Sequence, residues 1–66
     1  MEVILYSTHC PKCNVLTAKL NSKSIQYTEV TDIDVMESKG IKSVPMLEVD
    51  DQMMDYKKAV DWVNGF

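Results

Sequence analysis

Two cysteines separated by a proline and a lysine, Cys10-Pro11-Lys12-Cys13, are the residues of this chain best suited to chemistry. Such a pair can form and break a disulfide or supply half of a zinc site. Chain entropy gives so short a loop only about 2 kcal/mol of stabilisation, so the bond makes a weak staple and a serviceable redox couple. The flanking sequence favours the redox reading. Val3-Ile4-Leu5-Tyr6 reads as a buried strand and Ser7-Thr8-His9 as a polar turn, while Pro11 fits the first position of a helix. Cys10 then stands at a helix N-terminus, where unpartnered backbone N–H groups and the helix dipole favour the thiolate, the nucleophile of disulfide exchange. Cys13, a turn inward, suits a resolving thiol. The Cys10 thiolate would attack a substrate disulfide, and Cys13 would then displace the substrate to leave a Cys10–Cys13 bond. His9 and Lys12 flank the pair; Lys12 adds positive charge, and His9 reads as a solvated turn residue. Zinc takes four ligands and only His9 offers a third, so a metal or an iron–sulfur cluster would have to be bridged through Cys10 in a dimer.

The elements that must position this pair are legible along the chain. The first strand is expected over Glu2–Tyr6 and the helix over Pro11–Asn21, with Cys13, Leu16, Thr17 and Leu20 on one face. A second strand is expected from Ile25 to Val30, with Gln26 and Thr28 suiting a sheet edge. Asp32 can cap a short helix through Lys39 that buries Ile33 and Met36, and Gly40 stands where a left-handed residue would end it. Pro45–Val49 and Gln52–Met54 read as a hairpin about Asp50-Asp51. Met46, Met53 and Met54 cluster there, and Met53 and Met54, being adjacent, must face opposite ways. Asp55 caps a last helix to Asn64, closed by Gly65, with Tyr56, Ala59, Val60 and Val63 on one face and Trp62 and Phe66 extending the apolar surface. The order β-α-β-α-β-β-α, with a right-handed crossover between parallel strands and an antiparallel final pair, predicts an α/β domain: a four-stranded mixed sheet with three helices on its two faces.

Sixty-six residues make one domain, spanning 1–66, which must pack its core well to be stable. The net charge of -3 and the lack of a basic stripe argue against nucleic-acid binding. No apolar run approaches membrane-spanning length, and no basic stretch leads into an apolar one at the N-terminus. The expectation is a cytoplasmic monomer, in a compartment where cysteine pairs are more often catalytic or metal-binding than structural.

The strand Val3–Tyr6, Cys10-Pro11-Lys12-Cys13, the segment Gly40-Ile41-Lys42-Ser43-Val44-Pro45, and the hairpin with its final helix together resemble the glutaredoxin family over nearly the whole chain. The resemblance implies a minimal thioredoxin fold, Cys10 as nucleophile, Cys13 as resolving thiol, and no bound cofactor or metal beyond the redox-active disulfide. It implies a cis Val44–Pro45 peptide beside the disulfide, with the Val44 backbone offered to a bound peptide, and Lys42, Asp55 and Tyr56 around the substrate. Tyr6, from its place at the end of the first strand, either borders the site as a substrate contact or packs under the active-site loop. Glutathione-using members commonly carry Gly-Gly where Asp55 and Tyr56 stand, and often a lysine at the position of Ser7; Lys42 does match a basic position associated with the glutathione carboxylate. The chain is also similar to small glutaredoxin-like proteins that behave as thioredoxins. That likeness implies protein disulfides as substrates and electrons from a thioredoxin-reductase-type flavoprotein, with ribonucleotide reductase among the acceptors. The alternative donor is glutathione.

Overall fold

The computed structural model describes residues 1–66. Along the chain run β1 (Val3–Tyr6), α1 (Pro11–Ser22), β2 (Thr28–Val30), α2 (Ile33–Ser38), β3 (Met46–Val49), β4 (Gln52–Met54) and α3 (Tyr56–Asn64). The strands lie in the order β2-β1-β3-β4. β1 is parallel to β2 and antiparallel to β3, and β3 is antiparallel to β4, which is the expected mixed sheet.

Alternation along the strands sends two sets of side chains to opposite faces. Val3 pairs with Val49 and Leu5 with Leu47 on one face. There they join Leu16 and Leu20 of α1 and Ala59 and Val63 of α3 in a single buried apolar cluster. Ile4 pairs with Glu48 and Tyr6 with Met46 on the other face. α2 lies on that side: Lys39, just past its end, stands over the Tyr6 ring and beside Glu48.

The helix ends follow from local chemistry. Asp32 Oδ1 accepts the Asp34 N–H at 2.9 Å and starts α2; Asp55 Oδ1 accepts the Lys58 N–H at 2.9 Å and starts α3. α2 closes through Gly40 at φ +77, with the Gly40 N–H on Glu37 O and the Ile41 N–H on Met36 O. α1 closes in the same pattern, but with Ser24 at φ +56 in the left-handed position. Its N–H reaches Asn21 O, and the Ile25 N–H reaches Leu20 O. Ile25 is therefore tied to the helix and buried beside Leu20, so the second strand, expected from Ile25, begins only at Thr28.

Two further expectations change. The third strand starts at Met46 rather than Pro45. Ile33, expected in the core, is 58% exposed, because it is the first residue of a six-residue helix and lines an open groove with Met36, Ile41 and Val44 instead of reaching the sheet. At the far end of the sheet Asp50 and Asp51 both take left-handed φ, as a two-residue hairpin turn requires. The Asp50 carboxylate accepts the Glu2 N–H at 2.8 Å and ties the hairpin to the head of β1. No helix is long and apolar enough to cross a membrane.

Candidate redox site

The strand-to-helix junction after β1 carries the cysteine pair. Ser7 continues the strand by giving its N–H to Val30 O at 3.1 Å, and the chain then turns through His9, held at φ +61. A left-handed conformation costs a non-glycine residue free energy, and it occurs here directly before the reactive position. Cys10 is the N-cap of α1, in extended backbone, and its Sγ accepts the Cys13 N–H at 3.1 Å. Pro11 occupies the first helical turn. The sulfur expected to act as nucleophile thus already receives a helix N-terminal donor, an arrangement that stabilises a thiolate.

Cys10 and Cys13 form a disulfide, with their Cα atoms 4.9 Å apart. Cys10 is half-buried, whereas Cys13 is 1% exposed and packed among the buried residues of α1. A partner disulfide can therefore approach only the first sulfur. The second is within reach of the first and of nothing in solvent, as a resolving thiol must be.

The Lys12 ammonium lies 5.4 Å from the centre of the Tyr56 ring at the start of α3, a cation–π contact spanning the two helix N-termini. A groove of about 240 Å³ is lined by Thr8, two residues before Cys10, and by Ile33, Met36, Ile41, Lys42 and Val44. Pro45 is buried and follows a cis Val44–Pro45 peptide, as the family resemblance implies. Val44 is half-buried and Lys42 exposed.

The remaining candidates separate. His9 is exposed, its Nδ1 3.9 Å from Glu29 Oε2, and the same carboxylate oxygen accepts the buried Ser7 hydroxyl at 2.8 Å. Asp55 precedes Tyr56 in the chain, and its carboxylate is committed to capping α3. Tyr6 does not face a substrate: it is 1% exposed, and its hydroxyl donates to Glu48 at 2.8 Å. Burial, then that bond to Glu48, raises the Tyr6 pKa above its usual 10.0. No three of the chain's His, Cys, Asp and Glu side chains group closely enough to share an ion.

Glu29, Lys39 and Glu48 go unnoticed in the sequence reading. Only Glu48 leaves a trace there, as a carboxylate between Leu47 and Val49 in a strand that would otherwise be buried on both faces. The chain matches no protein family model, no curated protein and no solved structure.

Proposed function

We propose that this chain is a thiol–disulfide oxidoreductase of thioredoxin fold, related in design to the glutaredoxins, that reduces disulfides in proteins. One observation carries the reading: the Cys10 sulfur is at once the half-exposed end of a disulfide and the acceptor of a helix N-terminal N–H. A structural disulfide has no use for that donor; a thiolate nucleophile and leaving group does.

The cycle balances within the pair. In the reduced protein, the Cys10 thiolate attacks one sulfur of a substrate disulfide. A Cys10–substrate bond forms, the substrate S–S bond breaks, and one substrate thiolate leaves. Cys13 loses its proton and attacks Cys10 Sγ, expelling the second substrate thiolate and closing the Cys10–Cys13 disulfide. Two electrons have passed from the dithiol to the substrate. A flavoprotein reductase of the thioredoxin-reductase type returns them from NADPH. The Lys12–Tyr56 contact and the Asp55 side chain stand where a glutathione user would leave backbone bare, and this supports the flavoprotein over glutathione as donor.

The test follows NADPH consumption with the oxidised protein and two donor systems in parallel, thioredoxin reductase and glutathione with its own reductase. Rapid turnover with the first and slow turnover with the second is expected, and the reverse would exchange the donor. Cys10→Ser should abolish reduction of insulin disulfides, and Cys13→Ser should accumulate mixed disulfides with substrate. Reduction that survives Cys10→Ser would overturn the mechanism.

A further inference from the structure

The face of the sheet turned toward α2 holds a polar cluster that the redox cycle does not use. Glu48 is 9% exposed in an inner strand, and a carboxylate so placed is costly unless its oxygens are partnered. Its partners are two. The buried Tyr6 hydroxyl donates to Oε1 at 2.8 Å, and the Lys39 ammonium lies 3.7 Å from the same oxygen and 5.8 Å from the centre of the Tyr6 ring. A well-packed apolar group can often replace such a buried charged cluster without loss of stability, so stability alone does not account for it. Its placement does suggest a use.

The segment from Gly40 to Pro45 runs between α2 and β3, and its residues Ile41–Val44 line the groove that Thr8, two residues before Cys10, also lines. Lys39 is the residue that enters it. Met46 is the residue that leaves it, and Met46 pairs across the sheet with Tyr6. Glu48, two residues further along β3, joins the two ends. Between them no side chain from Ile41 to Val44 makes a hydrogen bond within the protein, and Lys42 and Ser43 are exposed. The segment is thus held at its ends. Backbone bonds anchor each end, Gly40 N–H on Glu37 O and Ile41 N–H on Met36 O at the entry and Met46 paired with Tyr6 at the exit, and the Tyr6–Glu48 bond with the Lys39–Glu48 ion pair links the two ends to each other through side chains.

We propose that Tyr6, Glu48 and Lys39 are positioning residues: they clip the Gly40–Pro45 segment to the sheet so that the Val44 backbone stands ready to pair with an extended stretch of a protein disulfide substrate. The inference rests on the redox reading for its substrate. The clip lies on the opposite side of β1 from the apolar core, so it acts on how a polypeptide docks and leaves the reactivity of the cysteine pair alone. A small disulfide that needs only Cys10 gains nothing from it. A polypeptide that must add backbone hydrogen bonds along Val44 gains from a segment already in place.

Lys39→Met removes the ion pair at an exposed position without disturbing the Tyr6–Glu48 bond. Glu48→Gln keeps an acceptor for Tyr6 and removes the charge that holds Lys39. Both variants should raise the KM for insulin disulfides about fivefold with kcat changed less than about twofold, and should leave the rate with hydroxyethyl disulfide unchanged. Amide hydrogen exchange at Ser43 and Val44 should quicken in both. Lys39→Arg should restore the wild-type KM and exchange. Equal slowing with both disulfides, or unchanged KM and exchange in Lys39→Met, overturns the proposal. A wild-type protein that reduces no protein disulfide refutes the redox reading and the docking role together, and exchange at Ser43 and Val44 then decides separately whether the clip holds the segment.

Discussion

On one face of the sheet Val3, Leu5, Leu47 and Val49 meet Leu16, Leu20, Ala59 and Val63 in an entirely apolar contact. On the other face Ile4, Tyr6, Met46 and Glu48 meet a helix of six residues that buries only Met36. The first face has two helices of 12 and 9 residues over it, and most of the core belongs to it. The second is thin and polar, and α2 on that side supplies Ile33 and Met36 to the groove they share with Thr8 and Val44. The division has a physical logic. Apolar packing is non-directional and supplies stability, whereas hydrogen bonds and ion pairs supply little net stability and fix geometry. The molecule sets its stability under α1 and α3 and its precision under α2.

That contrast can be broken hardest at Leu16, which is fully buried on the apolar face. Leu16→Ala should cost about 2–5 kcal/mol against the ~3–10 kcal/mol expected for a domain of this size, and urea titration should find the midpoint lowered by at least about a fifth, or the variant already unfolded. A loss below about 1 kcal/mol would mean that the apolar face does not carry the stability.

A middle-sized effect belongs to Tyr6. Tyr6→Phe removes a buried bond to a charged acceptor and should cost about 1–3 kcal/mol near neutral pH. Its pH dependence has a definite sign. The folded-state pKa of Tyr6 is raised above 10.0, by burial first and the Glu48 bond second, so folding favours the protonated phenol. The associated stability is whole below about pH 10 and is lost as pH climbs through the raised value. Lys39 acts in the same direction, its pKa held above 10.5 chiefly by the nearby Tyr6 hydroxyl and then by the charges of Tyr6 and Glu48. Urea midpoints of the wild type should therefore fall on the alkaline side of about pH 10, and fall less steeply in Tyr6→Phe. In absorbance titration, Tyr6→Phe should remove an ionisation that lies above pH 10.

The smallest effect is expected at Ile33, on the thin face yet outside its polar cluster. Ile33→Ser should change stability by no more than about 0.5 kcal/mol. A loss of several times that amount would show α2 to be an apolar anchor after all.

The cysteine pair and its strand-to-helix setting were plain in the sequence, because every signal there is local. Pro11 marks the helix start, Asp32 and Asp55 are side-chain caps, Gly40 is the left-handed stop, and Asp50-Asp51 is the turn; each acts on residues a few positions away. Where reading by neighbours went astray, the deciding partner was unexpected or distant. Ser24 adopts a conformation that usually signals glycine, so nothing announced that Ile25 would bond back to Leu20 and shorten the second strand. Ile33 has the spacing of a core residue but lacks a sheet beneath it. Tyr6 meets Glu48 and Lys39 from far along the chain, and the pairing of β1 with β3 that brings them together cannot be read from any window containing Tyr6 alone. The same holds for Lys12 and Tyr56.

The sheet order has a consequence for how the molecule comes into being on the ribosome. β1 is made before every other element of the sheet, yet it occupies the sheet interior, and Val3 finds its partner only when Val49 has been made. The pairing with β2 arrives earlier, but it leaves the other edge of β1 open. Until the hairpin emerges, Val3 and Leu5 lack Val49 and Leu47, and the apolar face of α1 lacks the Ala59 and Val63 that will cover it. In a nascent chain of this design the contacts that complete the core form only once β3, β4 and α3 have cleared the exit tunnel.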